Sequence, residues 1–248
     1  LYFMENRINN KLIEKDNLLS IYFTAGYPSL NDTVSVIKTL EESGADMIEI
    51  GVPFSDPVAD GPVIQQSNTA ALKNGMSVKL LFEQLKDIRQ EVSIPLIMMT
   101  AINPVLQFGF ENFCQACRAV GIDGLIIPDL PVEEYVLNYK SIVESYGLRN
   151  VILVTPASTD DRIRMVDEHS DGFIYMVSSS ATTGENKNFK SDFANFAGRL
   201  SSMNLKNPLI TGFGIKDRKT FNQVCEFSKG GIIGTAFVKA LGVPGEVN

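Results

Sequence analysis

The sequence is poor in the side chains that most often carry metal and nucleophile chemistry. It holds one histidine, His169, and three cysteines among 248 residues. A histidine-ligated metal or a histidine-assisted nucleophile is therefore not expected. Two of the cysteines are spaced Cys114-x-x-Cys117 inside a helical pattern, and no second thiol or histidine pair completes a metal set. Buried thiols are the expectation. Long apolar runs are also lacking: none approaches the roughly 18 residues of a bilayer span. No signal-peptide pattern is visible, so the expected location is the cytoplasm, with no membrane partner. Acidic residues outnumber basic ones 29 to 22, a net charge of −7. No Lys/Arg cluster or basic stripe with interleaved aromatics is present to neutralise phosphates, and nucleic acid is not an expected partner. Acid–base chemistry must then fall to carboxylates, tyrosine or lysine.

What the chain does have is regular alternation. Short apolar, β-rich runs occur at 20–26, 45–51, 94–100, 123–129, 150–156, 171–178, 207–214 and 230–236. Amphipathic helical patterns lie between them. In "SLNDTVSVIKTLEESG" Val34, Ile37 and Leu40 share a face and Gly44 is a stop, and "GFENFCQACRAVG" is a second example. Eight such strands imply parallel pairing through right-handed crossovers. The count of eight, the length, and the lack of an early G-x-G-x-x-G favour a closed (β/α)8 TIM barrel over an open doubly wound sheet. No linker, charge block or low-complexity segment divides the chain. We read Leu1-Tyr2-Phe3 as a tag scar and 4–248 as one barrel domain.

In such a barrel the working groups sit at the carboxyl ends of the strands. Glu49 closes the second strand and Asp60 follows in its loop. Asp129 closes the fourth strand, Tyr175 lies in the sixth, and Thr183-Gly184 lie in the loop beyond. Strand alternation places Glu49 on the face opposite Ile48 and Ile50. If the isoleucines pack outward, Glu49 points into the barrel, where burial raises its pKa and suits it to general acid or base work. The alternative is a structural glutamate satisfied by backbone or a hydroxyl. Asp60 precedes Gly61-Pro62 and reads as a turn residue or a working anion. Asp56, before Pro57, reads as a cap or turn, and Asp129 as a cap for a helix starting near Pro131. Tyr22 and Phe23 read as core aromatics. Gly212, Gly214 and Gly234 with Thr235 end the seventh and eighth strands, where small barrels hold phosphate, or else simply make tight turns.

The segments "IEIGVPFSDPVADGPVIQQS", "DGLIIPDLPVEE", "YMVSSSATTG", "TGFGIKD" and "GIIGTAFVKAL" together resemble the tryptophan synthase α-chain family, in order from about Asn17 to Leu241. The resemblance implies a lyase that splits indole-3-glycerol phosphate into indole and glyceraldehyde 3-phosphate by a retro-aldol reaction. It makes Glu49 the acid–base residue and Asp60 the anchor of the indole N–H. Tyr22, Ile126 and Leu153 would wall the indole pocket and Tyr175 would line it. Thr183 and Gly184 would belong to a loop that closes over the site, with Thr183 meeting Asp60. Phe213, Gly214, Gly234 and Thr235 would hold the phosphate. The partner implied is a pyridoxal-phosphate β subunit in an α2β2 complex, met through mouth loops that include Asp56, Pro57 and Asp129. No cofactor is expected in this chain itself.

Three positions depart from the family pattern. Ala101 stands where an aromatic is usual, and Thr235 stands where serine is common. The sequence also stops at "LGVPGEVN" without the final amphipathic helix, so that either the chain is truncated there or the helix lies beyond these residues. Two other readings keep the barrel: a stand-alone indole-releasing lyase, and a non-catalytic allosteric partner. A metal-dependent sugar-phosphate epimerase is disfavoured by the missing ligand cluster.

Overall fold

The computed structural model describes residues 6–57, 60–177, 189–212 and 214–242. Eight parallel strands close into a barrel: β1 (Leu18–Thr24), β2 (Met47–Gly51), β3 (Leu96–Met99), β4 (Gly124–Ile126), β5 (Arg149–Val154), β6 (Ile174–Val177), β7 (Leu209–Gly212) and β8 (Gly230–Ile233). Each pairs with its sequence neighbours, and β8 returns to β1 through Leu18↔Gly230 to Ile21↔Ile233. The helices before β4 are α1 (Arg7–Glu14), α2 (Thr33–Glu42), α3 (Pro62–Lys73), α4 (Val78–Leu85), α5 (Ile102–Phe108) and α6 (Phe110–Val120). After it come α7 (Val132–Glu134), α8 (Lys140–Ser145), α9 (Asp160–His169), α10 (Phe189–Ser202), α11 (Arg218–Cys225) and α12 (Thr235–Leu241). Among the described residues, no helix is long and apolar enough to cross a membrane.

Strand alternation sorts side chains into two cores. Ile48 and Ile50 face outward into the helix-covered core, and Met47 faces the barrel interior. The outer core takes the buried stripe of α2, which is Thr33, Val36, Ile37 and Leu40, with Val34 half-buried at its margin rather than central. Gly44 at φ +92° follows the end of α2, the left-handed position that favours glycine after a helix. In α6 both cysteines lie in the outer core beside Phe110, Phe113 and Val120. Burial pushes the Cys114 thiol up to about 12, as an inert core thiol should behave.

The interior has to make room for two tyrosines. Tyr22 fits because its register neighbourhood on β2 ends in Gly51: a Cβ there would lie 2.3 Å from the Tyr22 hydroxyl. Tyr175 uses Gly212 on β7 in the same way, at 2.1 Å. Any larger residue at either glycine would collide with a phenol.

Helix α1, short and with two buried residues, is not among the elements expected from the sequence. Ile8 and Leu12, one turn apart, plug the amino-terminal end of the barrel against Leu18, Met47, Ile97 and Phe173. Asn6 caps α1 by accepting from the Ile8 N–H, and its amide donates to the carbonyls of Asp123 and Gly147. Asp123, 4% exposed, is the polar hub of this end. Its Oδ1 accepts from Arg7 at 2.9 Å, and its Oδ2 accepts from Arg89 at 2.6 Å and from the Leu96 N–H at 2.9 Å. The Arg89 guanidinium also donates to the carbonyls of Gly121 and Ile94. The Asp123→Ala variant should therefore lose about 3–5 kcal/mol in urea unfolding, because it strands a largely buried Arg89. Removing the half-exposed partner, Arg7→Ala, should cost less than about 1 kcal/mol.

Candidate active site

At the carboxyl end of the barrel a pocket of about 380 Å³ opens between the ends of β1 to β5. Tyr22, Met99 and Leu153 form its floor: all three are half-buried and pack on the inner core. Val52, Phe54, Asp56, Pro57 and Asp60 come from the segment after β2, and Thr100, Ala101, Pro128 and Asp129 from those after β3 and β4. Asn68 of α3 completes the lining and holds the β2 segment in place. Its Oδ1 accepts from the Phe54 N–H at 2.9 Å, and its amide donates to the Ile64 carbonyl. Beside it Ser67 joins the Thr24 hydroxyl at 2.7 Å and donates to the same carbonyl, tying α3 to the top of β1.

Glu49 lies beneath this pocket and is completely buried. In register it faces Tyr22 on β1 and Ile97 on β3. Two residues further along the same face is Gly51, whose missing side chain leaves the space filled by the Tyr22 hydroxyl. The Ser20 hydroxyl donates to Glu49 Oε1 at 2.9 Å, while Oε2 is buried with no hydrogen-bond partner among the described residues. Desolvation raises the Glu49 carboxyl to about 8 against the opposing effect of the Ser20 bond, so at neutral pH it carries a proton. Asp60 is half-buried at the pocket wall, and desolvation raises its carboxyl to about 6, so it is mostly ionised at neutral pH. The Tyr22 hydroxyl is pushed well up by burial, then by the Asp60 and Glu49 charges. Tyr175 responds to burial, Glu49, Asp60 and Tyr22 in that order, so all four groups share one electrostatic neighbourhood.

The remaining expected residues distribute unevenly. Ile126 is fully buried in the inner core as the register partner of Met99, and is not among the residues that line the pocket. Tyr175 likewise sits in the inner core rather than in the lining. Asp129 does not cap the helix at Pro131; its Oδ1 accepts from the Ile102 N–H at 2.9 Å and so caps α5 from across the mouth. Asp56 caps no helix either, since α3 has Gly61 as its N-cap and no side-chain cap; Asp56 accepts from Ser55 and lies exposed at the pocket rim. Gly214 borders a separate recess of about 160 Å³ between α10 and α11, with φ +75°. Gly234 adjoins the mouth, where an added Cβ would lie 3.4 Å from Tyr22, and exposed Thr235 begins α12. Thr183, Gly184 and Phe213 lie outside the described residues. Sequence reasoning missed Ser20, Phe54, Asn68, Met99 and Thr100. The signal available for Ser20 was its shared face with Tyr22 on β1.

The tryptophan synthase alpha chain family profile matches residues 8–246. A tryptophan synthase alpha chain from Flavobacterium psychrophilum is 61% identical over 236 residues, covering 95% of this chain and 93% of that one. Among solved structures, tryptophan synthase from M. tuberculosis in an aminoacrylate-bound form superposes with a TM-score of 0.85 at 31% identity, covering 96% and 92% of the two chains. The alpha chain from Legionella pneumophila does so with a TM-score of 0.84 at 33% identity, covering 96% and 88%.

Burial of Glu49 has a sign in stability. Its carboxyl moves from 4.5 to about 8 on folding, so between those values the folded chain holds a proton that the unfolded chain has lost. Stability is then full below about pH 4.5 and falls towards pH 8, by up to about 1.4 kcal/mol per pH unit. Glu49→Gln removes this dependence. Its melting temperature relative to the unsubstituted protein should climb steadily from pH 5 to pH 8 in calorimetric scans, and a gap that stays constant would contradict the buried, protonated carboxyl.

Proposed function

The chain belongs to the tryptophan synthase alpha chain family, and from that premise we propose how its pocket performs the cleavage of indole-3-glycerol phosphate. As a family member it is a lyase of tryptophan biosynthesis, and its reaction yields indole and glyceraldehyde 3-phosphate. The observation that carries the residue assignment is the pairing of a protonated, buried Glu49 beneath the pocket with an ionised Asp60 in its wall.

Glu49 donates its proton to the indole ring carbon that bears the side chain, which leaves a cationic ring and a carboxylate. Asp60 accepts the indole N–H and stabilises that cation. The Glu49 carboxylate then takes the proton of the adjacent side-chain hydroxyl as the carbon–carbon bond breaks. Its electrons restore the aromatic ring, the hydroxyl carbon becomes the aldehyde, and Glu49 ends protonated, as it began. Tyr22, Met99 and Leu153 supply apolar surface of the kind an indole ring needs, and Ala101 leaves room on the β3 side. The ends of β7 and β8, with Phe213, Gly214, Gly234 and Thr235, are assigned to the phosphate. Ile126 and Tyr175 back the floor from the inner core, and Thr183 and Gly184 keep the closing role that the resemblance gives them.

Family membership implies a tryptophan synthase β-subunit partner. We place it against the mouth residues Asp56, Pro57 and Asp129, of which Asp56 and Asp129 are exposed, in a cytoplasmic α2β2 complex whose pyridoxal phosphate is held by the β subunit.

Purified protein, alone or with an added β subunit, should release indole from indole-3-glycerol phosphate; no release under either condition refutes the assignment. Glu49→Gln should lower kcat by a factor of about 10² or more while a substrate analogue still binds. Asp60→Asn should also slow the chemical step. Because the cycle needs ionised Asp60 and protonated Glu49, kcat/KM should rise with pH through about 6 and fall through about 8.

A further inference from the structure

We propose that Ser20 is a positioning residue for the reaction: its hydroxyl holds Glu49 Oε1 and thereby assigns the transferable proton to Oε2. This rests on the role given to Glu49 above. Ser20 is wholly buried on the inner face of β1, between Leu18 and Tyr22, among side chains that are otherwise apolar. A hydroxyl at such a position costs stability unless it finds a partner. Its partner is Glu49, across the β1–β2 pairing, at 2.9 Å.

A carboxylic acid presents two oxygens, and only one carries the proton. When Oε1 accepts from Ser20 it is the carbonyl-type oxygen, and the O–H falls to Oε2, which has no hydrogen-bond partner among the described residues. The proton is thus available for transfer instead of being committed to a protein acceptor. After transfer the same Ser20 bond becomes charge-assisted and stabilises the carboxylate. The titratable groups facing Glu49 are Tyr22 from β1 and Tyr175 from β6, with Asp60 bearing on both phenols; desolvation and the Ser20 bond are the two influences that set the carboxyl itself.

The test uses Ser20→Thr and Ser20→Val, which are equal in size and differ in the hydroxyl. In indole release from indole-3-glycerol phosphate, Ser20→Val should lower kcat about five- to twentyfold with KM within twofold, and should move the alkaline limb of the pH profile upward, because the lost donor favoured the ionised form. Ser20→Thr should retain kcat within about threefold and leave the limb in place. A substrate-free reading comes from infrared difference spectra of the Glu49 carbonyl against Glu49→Gln: Ser20→Val should shift the band to higher frequency and Ser20→Thr should not. Unchanged kcat and pH profile in Ser20→Val overturn the proposal even if the band shifts, and so does an unshifted band. An unsubstituted protein that releases no indole overturns the reaction assignment instead, and the band still reports the bond. Should Ser20→Val not fold, Ser20→Ala is held to the same outcomes.

Discussion

The structure is organised around a carboxyl group held inside an apolar barrel. Leaving Glu49 charged and unpaired there would cost several kcal/mol, so the fold keeps it protonated at neutral pH. That constraint reaches outward. A proton held at about 8 demands a dry surround, and the dry surround is made by the inner core, with Tyr22 lying above the carboxyl and Gly51 yielding the space for it. The phenol can occupy that place only because β1 and β2 pair in the register Tyr22↔Glu49 and Phe23↔Ile50. A shift of one residue would turn Glu49 into the helix-facing core and bring Ile48 or Ile50 to the interior.

The two ends of the barrel answer to different demands. At the amino-terminal end nearly every charge is matched: Asp123 with Arg7 and Arg89, Asp46 with Lys15 and the Leu19 N–H, Arg149 with Asp171 and Asn9. These groups, with α1 as the plug, fix the strand ends. At the mouth two carboxyls, Glu49 and Asp60, have no cation beside them among the described residues. Asp60 and Glu49 are both raised by desolvation, whereas the acids below are joined to cations. This is the separation between a stabilising face and a reactive face that closed α/β barrels allow.

The alternating strand and helix pattern made the barrel legible, because eight apolar runs with period-two alternation leave few closures. The inward direction of Glu49 followed from the same alternation through Ile48 and Ile50. What stayed hidden was mostly set by contacts between distant segments. Asp129 looks in sequence like a cap for the helix just after it, but the mouth brings the Ile102 N–H to its carboxyl from 27 positions away. Ile126 looks like a pocket wall in sequence, but the β3–β4 pairing buries it in the inner core beside Met99, which lines the pocket instead. Asn68 reads as an ordinary helix residue, and only the fold brings its amide to Phe54. Helix α1 was not legible because it spans only eight residues, too few turns for its apolar face to repeat, although that face is well segregated.

The differing environments of Glu49 and Asp60 also explain how two carboxyls close together can do unlike work. Burial separates them, outweighing the Ser20 bond that draws Glu49 down: Glu49 has no exposure and is raised to about 8, while Asp60 keeps part of its surface in solvent and is raised only to about 6. Between those values one is an acid and the other an anion, which is the combination that protonating a ring carbon and stabilising the resulting cation requires. The segment carrying Asp60 is held from α3 through Asn68 and exposed at Asp56. Anything that covers this rim would withdraw Asp60 from water and raise its carboxyl towards that of Glu49. A partner bound here could therefore raise activity only by also supplying Asp60 with hydrogen-bond donors or positive charge; closure that merely dried the site would neutralise the anion that the ring cation needs.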